Sequence, residues 1–124
     1  MQQPVNIMLV EDEAIIALWL RMELNKAGYS ACKIFSTGED AIKAAAKEKP
    51  DLVLMDIQLS SQMNGFEAAH HICELQAVPV IFFTGYPDVE LKHKAAEFKS
   101  AGYFVKPVNI QELVTAINNL FPDS

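Results

Sequence analysis

Side chains able to bind a metal or react with a phosphoryl group follow four short apolar segments of this sequence. Glu11 and Asp12 follow "NIMLV", Asp56 follows "LVLM", Thr84 follows "VIFF" and Lys106 follows "YFV". Carboxylate oxygens are ligands that suit Mg²⁺, an ion that also keeps several waters. A carboxylate can also act as a nucleophile and form a covalent intermediate. These residue types therefore suit magnesium-assisted phosphoryl transfer, provided that the fold brings them together.

Taken singly, each of these residues has a simpler interpretation. An acid after a strand is usually a helix cap, as Asp12 alone would be, and Lys-Pro is usually a turn. The set is harder to explain in this way, because three crowded carboxylates repel one another unless a cation lies between them. Asp56, in the middle of the chain, is the natural nucleophile, and Glu11 and Asp12 then belong to the metal. The hydroxyl of Thr84 and the amine of Lys106 would hold the remaining phosphoryl oxygens.

The segments that must position these side chains alternate between strand and helix patterns. The predicted strands are Val5–Val10, Tyr29–Phe35, Leu52–Met55, Val80–Phe83 and Tyr103–Val105. The first predicted helix is Glu13–Ala27, with Gly28 after its end, and the second opens with a capping box at Ser36–Glu39 and runs to about Glu48. The third is capped at Asn64 and runs to about Gln76, and the fourth runs from about Pro87 to about Ser100, with a turn at Gly102 before the fifth strand. The fifth is capped at Asn109 and runs to about Leu120.

Five repeats of strand then helix predict an α/β fold with a parallel sheet covered on both faces. At this length the expected architecture is a flavodoxin-like doubly wound (βα)5 fold. In such sheets ligands bind outside the carboxyl ends of the strands, which is where the candidate residues fall.

Composition limits the classes of function. The chain has 124 residues, of which 51% are hydrophobic and 21% charged, as expected for one globular domain. The net charge of −6, with no run rich in Lys or Arg, disfavours direct nucleic-acid binding and favours a cation partner. Cys32 and Cys73 fit buried thiols in a reducing cytoplasm. No apolar run approaches the length of a membrane span, so we expect no membrane partner.

Four stretches resemble the receiver domain of two-component response regulators. They are "LVEDE" (Leu9–Glu13), "DLVLMDIQL" (Asp51–Leu59), "FFTGY" (Phe82–Tyr86) and "GYFVKP" (Gly102–Pro107). Each is weak alone, but together they occur in the family's order and spacing and cover essentially the whole chain. The resemblance implies a phosphorylatable signalling module whose conformation is the output, and not an enzyme beyond catalysing its own Asp phosphorylation and dephosphorylation.

The resemblance implies a role for each matching residue at the reacting centre. Asp56 is the implied phosphoacceptor and a ligand of Mg²⁺. Asp12 is implied to bind the ion directly, Glu11 to lie nearby through water, and Gln58 to contribute its backbone carbonyl. Mg²⁺ is the implied cofactor, and the donor is a phosphohistidine on a sensor histidine kinase or phosphotransfer protein.

The resemblance also implies a conformational switch. Thr84 matches the switch hydroxyl, Tyr103 the aromatic residue that changes rotamer on activation, and Lys106 the group that pairs with the phosphoryl oxygens. The Lys106–Pro107 bond is implied to be cis. The readout surface for a downstream effector, whose identity the sequence does not give, is implied to span roughly Val89 to Leu120.

The loop after Asp56 departs from the family pattern. Many members carry a proline four residues after the phosphoacceptor, where this chain has Ser60, and the loop reads as one residue longer before Gly65. Gln58 occupies a position that varies in the family and influences dephosphorylation, so the lifetime of the phosphorylated state stays open.

The first helix has two apolar stripes. Ile16, Leu20, Leu24 and Ala27 form one stripe that suits the core. Ile15, Leu18, Trp19 and Met22 form a second, rotated towards solvent. This second stripe is either covered by a wider core or forms a partner-binding patch, and the resemblance favours a sensor kinase as the partner over a second copy of the chain. We accordingly expect a monomer or weak dimer.

Two alternatives compete with the signalling function. A haloacid-dehalogenase-like phosphotransferase also uses an Asp at a strand end, but it normally needs a second Asp two residues later, where this chain has Gln58. A receiver used only as an interaction module would be expected to lack one of Asp12, Asp56 or Lys106, and all three are present. The expected domain organisation is a single receiver domain over residues 1–124, with no effector domain in this chain.

Overall fold

A computed structural model describes residues 4–60, 62–86, 88–98 and 100–122 of the chain. Five strands form one sheet: β1 (Ile7–Val10), β2 (Cys32–Phe35), β3 (Leu52–Asp56), β4 (Val80–Thr84) and β5 (Ser100–Val105). Five helices alternate with them: α1 (Ala14–Lys26), α2 (Gly38–Lys47), α3 (Gly65–Leu75), α4 (Val89–Ala96) and α5 (Ile110–Leu120).

All strand pairs are parallel, and the order across the sheet is β2-β1-β3-β4-β5. The predicted flavodoxin-like fold is therefore confirmed. After β1 the chain moves outwards to β2 and then returns to place β3 on the other side of β1. The direction of winding thus reverses between β1 and β3, and a crevice for ligands forms at their carboxyl ends.

Two hydrophobic clusters lie on opposite faces of the sheet. On one face Met8, Val53 and Met55 pack against α2, α3 and α4. On the other, Leu9 and Leu54 pack against α1 and α5. Every residue of β3 and β4 is buried, which explains why these strands are continuous apolar runs. The central strands are therefore rigid supports for the residues at their ends.

Local signals fix several helix ends. Gly28, with a φ of +99°, follows the end of α1 in the left-handed conformation that glycine adopts without strain. Asn64 caps α3 as predicted, in a capping box with Glu67, and Asn109 caps α5. The cap of α2 differs from the prediction, since Thr37 rather than Ser36 accepts a hydrogen bond from the Asp40 N–H.

Two strands begin three residues away from their predicted starts, β1 begins two residues late at Ile7, and β3 and β4 each extend one residue further. β5 begins at Ser100, so Gly102 lies within the strand instead of in a turn, and α4 ends at Ala96. Backbone pairing with β4 draws the earlier residues into the sheet and outweighs a weak helical preference. β2 begins only at Cys32, because the Tyr29 N–H still donates to the Leu24 carbonyl of α1, at 2.9 Å. The Tyr29 side chain is buried, and its hydroxyl donates to the Asn118 side chain. Pro87, predicted in the first turn of α4, lies outside the described residues.

The first helix places its stripes nearly as predicted. Leu20 and Leu24 are fully buried, whereas Ala27 is exposed and Ala17 takes a place in the core. Ala27 lies beyond the last turn of α1, which ends at Lys26, so it no longer faces the sheet. Cys32 and Cys73 are both free thiols. Within the described part of the chain, no helix is long and apolar enough to cross a membrane.

Candidate functional site

The carboxyl ends of four strands bring the candidate residues to one edge of the sheet. Asp56 and Thr84 are the last residues of β3 and β4, while Glu11 and Lys106 directly follow β1 and β5. Backbone hydrogen bonds extend the sheet through this edge, from Glu11 N to Phe35 O at 2.9 Å and from Lys106 N to Thr84 O at 2.7 Å. The site is therefore positioned by the sheet itself.

Three acids form a cluster with the spacing of a cation site. Glu11, Asp12 and Asp56 each present one carboxylate oxygen, and these three atoms lie within 4.8 Å of one another. Mg²⁺ holds its ligands at about 2.1 Å, so that opposite ligands of one ion are separated by about 4 Å. Glu11 and Asp56 are buried and Asp12 is half-buried, which leaves Asp12 as the acid most open to solvent. This donor set fits Mg²⁺.

Lys106 joins two of these acids. Its Nζ donates to Glu11 Oε1 at 2.7 Å and to Asp56 Oδ2 at 3.0 Å, and it lies 5.6 Å from the centre of the Phe83 ring. Burial alone would lower the pKa of Lys106, but the hydrogen bonds and charges of the two acids raise it above its ordinary value. The ammonium therefore stays charged and compensates part of the negative charge of the cluster.

Glu11 is the acid of the cluster whose negative charge is disfavoured, because its carboxyl group is buried. Burial raises the pKa of its carboxyl group from 4.5 to about 7, although hydrogen bonds from Lys106 and from the Glu13 N–H act in the opposite direction. The neighbouring charge of Asp56 adds to the rise. Three carboxylates face one ammonium here, so a bound cation would relieve the repulsion.

Asp12 is held by the loop that follows β3. The Ser60 N–H donates to Asp12 Oδ2 at 3.0 Å. Burial tends to raise the pKa of Asp12, but hydrogen bonds from Ser60 outweigh it and the pKa is lowered. A proline at this position has no N–H to donate, so the departure of Ser60 from the family pattern supplies a contact that sequence reasoning missed.

Gln58 contacts both Asp56 and Thr84. Its backbone N–H donates to Asp56 Oδ1 at 2.9 Å. Its side-chain Oε1 accepts from the Thr84 hydroxyl at 2.7 Å and from the Gly85 N–H at 3.1 Å. The Thr84 oxygen in turn accepts from the Tyr86 N–H at 3.0 Å. Thr84 thus engages Gln58 and not the acids, an arrangement that no sequence motif indicated.

Gly65 lets α3 approach the backbone of Asp56. A Cβ atom added at Gly65 would lie 2.1 Å from the Asp56 carbonyl oxygen and 2.7 Å from Ile57 Cα. The Gly65 N–H also donates to the Ile57 carbonyl at 2.9 Å. The close approach fixes the course of the chain just after Asp56.

The predicted switch and turn residues lie next to this edge. Tyr103 is half-buried in β5 and packs against the cluster that contains Phe82. Its hydroxyl is buried and has no hydrogen-bond partner among the described residues. The Lys106–Pro107 bond is cis, so this prediction is confirmed.

The second stripe of α1 is exposed. The exposed fractions are 84% for Ile15, 51% for Leu18, 38% for Trp19 and 50% for Met22. The core therefore does not cover these four residues, which we call the α1 patch. Because α1 begins two residues after Asp12, the Ile15 end of the patch is the end nearer to the acidic cluster.

The sequence of this chain is similar to those of known response regulators. The family model described as "Response regulator receiver domain" matches residues 7–118. Transcriptional regulatory protein PdtaR of Mycobacterium tuberculosis is 32% identical over 114 residues, which are 92% of this chain and 55% of that protein. Response regulator ArlR of Staphylococcus aureus is 32% identical over 112 residues, or 90% of this chain and 50% of that protein. The chain thus spans about half the length of these relatives.

Solved structures show the same likeness. The signal receiver domain of a modulated diguanylate cyclase from Desulfovibrio desulfuricans G20 superimposes with a TM-score of 0.85 at 32% identity, covering 94% of this chain and 93% of that chain. A CheY-like response regulator receiver domain protein from Methanospirillum hungatei JF-1 gives a TM-score of 0.88 at 25% identity, with 98% and 96% covered.

Proposed function

The chain belongs to the response regulator receiver domain family of two-component systems, and we propose that Asp56 accepts a phosphoryl group from a phosphohistidine on a sensor histidine kinase or phosphotransfer protein. The observation that carries this proposal is the meeting of three carboxylates and Lys106 at the carboxyl edge of the sheet. A buried strand delivers Asp56 to this edge, where a donor and a cation can reach it.

In this mechanism an Asp56 carboxylate oxygen attacks the phosphorus atom. The bond between phosphorus and the donor imidazole breaks, and an acyl phosphate forms on Asp56. Lys106 already touches Asp56 Oδ2, and its ammonium stabilises the added negative charge. The Gln58 N–H orients the other oxygen, Oδ1.

Asp12 and Asp56 would hold Mg²⁺ directly, Glu11 would do so through water, and the Gln58 backbone carbonyl would complete the protein ligands. When bound, the ion neutralises charge on the phosphoryl oxygens. The spacing of the acids and the raised pKa of Glu11 support this assignment.

Phosphorylation then switches a protein-interaction surface. The Thr84 hydroxyl moves to a phosphoryl oxygen, and Tyr103 turns further inward into the space that it leaves. The unpartnered Tyr103 hydroxyl supports this proposal, because a buried tyrosine normally finds a hydrogen-bond partner. The altered surface for the downstream effector comprises α4, β5 and α5.

Receiver domains of response regulators interact with histidine kinases and downstream effectors. We assign the kinase-facing contact of this chain to the α1 patch, because it is apolar and exposed, and its Ile15 end is the end nearer to the acids. The net charge of −6 supports a protein partner over nucleic acid.

The test is intact-mass measurement after incubation with acetyl phosphate, with Mg²⁺ or with EDTA. We expect one added phosphoryl group in wild type, only with Mg²⁺, and none in Asp56→Asn. Labelling that persists in Asp56→Asn would exclude Asp56 as the acceptor. A wild type that is never labelled, by small donors or by kinases, would favour a receiver that acts only as an interaction module. The family match does not favour the haloacid-dehalogenase alternative.

A further inference from the structure

The end of β4 carries two hydrogen-bond donors that point at one oxygen atom. Gln58 Oε1 lies 2.7 Å from the Thr84 hydroxyl and 3.1 Å from the Gly85 nitrogen. The Gly85 N–H can only donate, so the side-chain atom that faces it must be the amide oxygen and not the amide nitrogen. Two donors converging on one oxygen form a small oxyanion hole.

This hole lies beside the phosphoacceptor. The backbone N–H of Gln58 donates to Asp56 Oδ1 at 2.9 Å, so Gln58 bridges the ends of β3 and β4. A phosphoryl group on Asp56 has three terminal oxygens to place. Lys106 contacts Asp56 Oδ2 and also holds Glu11, whereas the two donors at the end of β4 contact the Gln58 side chain.

We propose that the Gln58 side-chain oxygen is an internal surrogate for one phosphoryl oxygen, and that it occupies the hole formed by Thr84 and Gly85 until a phosphoryl group on Asp56 displaces it. This inference rests on the proposed function. It makes Gln58 a positioning residue that holds Thr84 in the unphosphorylated arrangement and opposes the switch.

The chemistry of the glutamine side chain suits this role. Its amide oxygen is a neutral acceptor, whereas a glutamate would add a fourth carboxylate near the acids. Methionine has a similar length but only a weak acceptor. Gln58 is half-buried in a loop, so its displaced amide can be hydrated by water. The Thr84 hydroxyl has a second acceptor in the Tyr86 carbonyl at 3.3 Å, which leaves the Gly85 N–H as the donor most dependent on Gln58.

The surrogate competes with the phosphoryl group, so its removal should strengthen the binding of a phosphoryl mimic. The test is a calorimetric titration of wild type, Gln58→Met and Gln111→Met with beryllofluoride in excess Mg²⁺, which measures the dissociation constant of this phosphoryl mimic. We expect Gln58→Met to bind about three- to tenfold more tightly than wild type, as loss of one or two competing hydrogen bonds predicts. Gln111→Met makes the same change on the exposed face of α5 and should bind like wild type.

A second measurement needs neither Mg²⁺ nor beryllofluoride. In ¹⁵N-labelled protein, the Gly85 amide should exchange with solvent faster in Gln58→Met than in wild type, and Gln58→Glu, which keeps an acceptor oxygen, should restore protection. Structural damage would weaken binding of the mimic, so a gain in affinity separates the surrogate role from a merely structural one.

Equal or weaker binding by Gln58→Met, or unchanged Gly85 exchange, would overturn the surrogate role while leaving phosphorylation of Asp56 intact. Failure of wild type to bind beryllofluoride at all, together with failure to be labelled by acetyl phosphate, would overturn both the proposed function and this inference.

Discussion

Ser60 donates its backbone N–H to the Asp12 carboxylate, with 3.0 Å between Ser60 N and Asp12 Oδ2. The two residues are 48 positions apart, so this bond ties the loop after β3 to the end of β1. Because both segments border the acidic cluster, a change in the loop reaches a proposed metal ligand directly. Hydrogen bonds from the Ser60 side chain and backbone together lower the pKa of Asp12, against the effect of burial.

Ser60→Pro should remove this contact, since proline has no N–H. A carboxyl group with a depressed folded-state pKa stabilises the fold above its unfolded pKa, 3.8 for Asp12, and this contribution is lost as pH falls through the folded pKa. We therefore expect Ser60→Pro to be less stable than wild type at neutral pH, and the difference to shrink below about pH 3.8. Urea unfolding at several pH values measures this. Ser60→Ala keeps the N–H and loses only the hydroxyl, so it separates the backbone contact from the side-chain hydrogen bond that also lowers the pKa of Asp12. A difference independent of pH would assign the effect to the loop backbone instead.

Ionisation of Glu11 should destabilise the metal-free protein. Its pKa is raised from 4.5 to about 7, so between these pH values the folded state binds a proton that the unfolded state has released. The free energy of unfolding therefore falls as pH rises through this window and stays low above it. Glu11→Gln keeps an acceptor for Lys106 but cannot ionise. We expect wild type to lose on the order of 2–3 kcal/mol more than Glu11→Gln between about pH 5 and pH 8, measured by urea unfolding without Mg²⁺. Parallel pH curves for the two proteins would contradict the raised pKa.

Magnesium should stabilise the fold through the acidic cluster. A ligand at 100 times its dissociation constant adds about 2.7 kcal/mol to stability, which corresponds to a rise in Tm on the order of 10 °C for a domain of this size. Asp12→Ala removes one of the three clustered carboxylates and should abolish most of the rise. Asp40→Ala, an exposed acid on α2, should keep it. Thermal melts at increasing Mg²⁺ concentration measure the rise in Tm. A wild-type Tm that stays constant would count against a magnesium site at the acidic cluster.

Much of this site could be predicted from the sequence because the sheet does the positioning. Short apolar runs end at Asp56 and Thr84, and parallel strands bring their carboxyl ends to one edge whatever the details of the loops. The contacts made by Gln58 and Ser60 could not be predicted, since they depend on loop conformations with no periodic pattern. The early start of β5 was missed for a related reason: pairing with β4 decides it, and local preference does not.

Gly65 provides a test of the close approach between α3 and β3. Gly65→Ala would place a Cβ atom 2.1 Å from the Asp56 carbonyl oxygen, and backbone atoms cannot give way as a flexible side chain can. We expect a loss of about 1–3 kcal/mol in the free energy of unfolding, or more, together with slower labelling by acetyl phosphate. Gly85→Ala is the matched control for stability, because nothing lies within 4 Å of its added Cβ. Equal stability of the two variants would show that α3 can shift without cost.

The α1 patch should matter for transfer from a protein donor and not for transfer from a small molecule. Leu18→Glu places a charge within the patch, where a partner helix would have to bury it without a counter-charge. We expect phosphotransfer from a histidine kinase or phosphotransfer domain that labels wild type to slow at least tenfold, the effect of about 1.4 kcal/mol. Labelling by acetyl phosphate should not change, because Asp56 and the acidic cluster are untouched.

Leu75→Glu is the matched control for this prediction. Leu75, on α3, is 51% exposed, as is Leu18, so the two substitutions place the same charge at sites of equal exposure. Leu75→Glu should leave both reactions at wild-type rates. If Leu18→Glu slowed both reactions equally, the substitution would have damaged the fold. If Leu18→Glu and Met22→Glu slowed neither, the kinase would contact another surface. Loss of a weak dimer on Leu18→Glu, with transfer intact, would instead identify a second copy of the chain as the occupant of the patch.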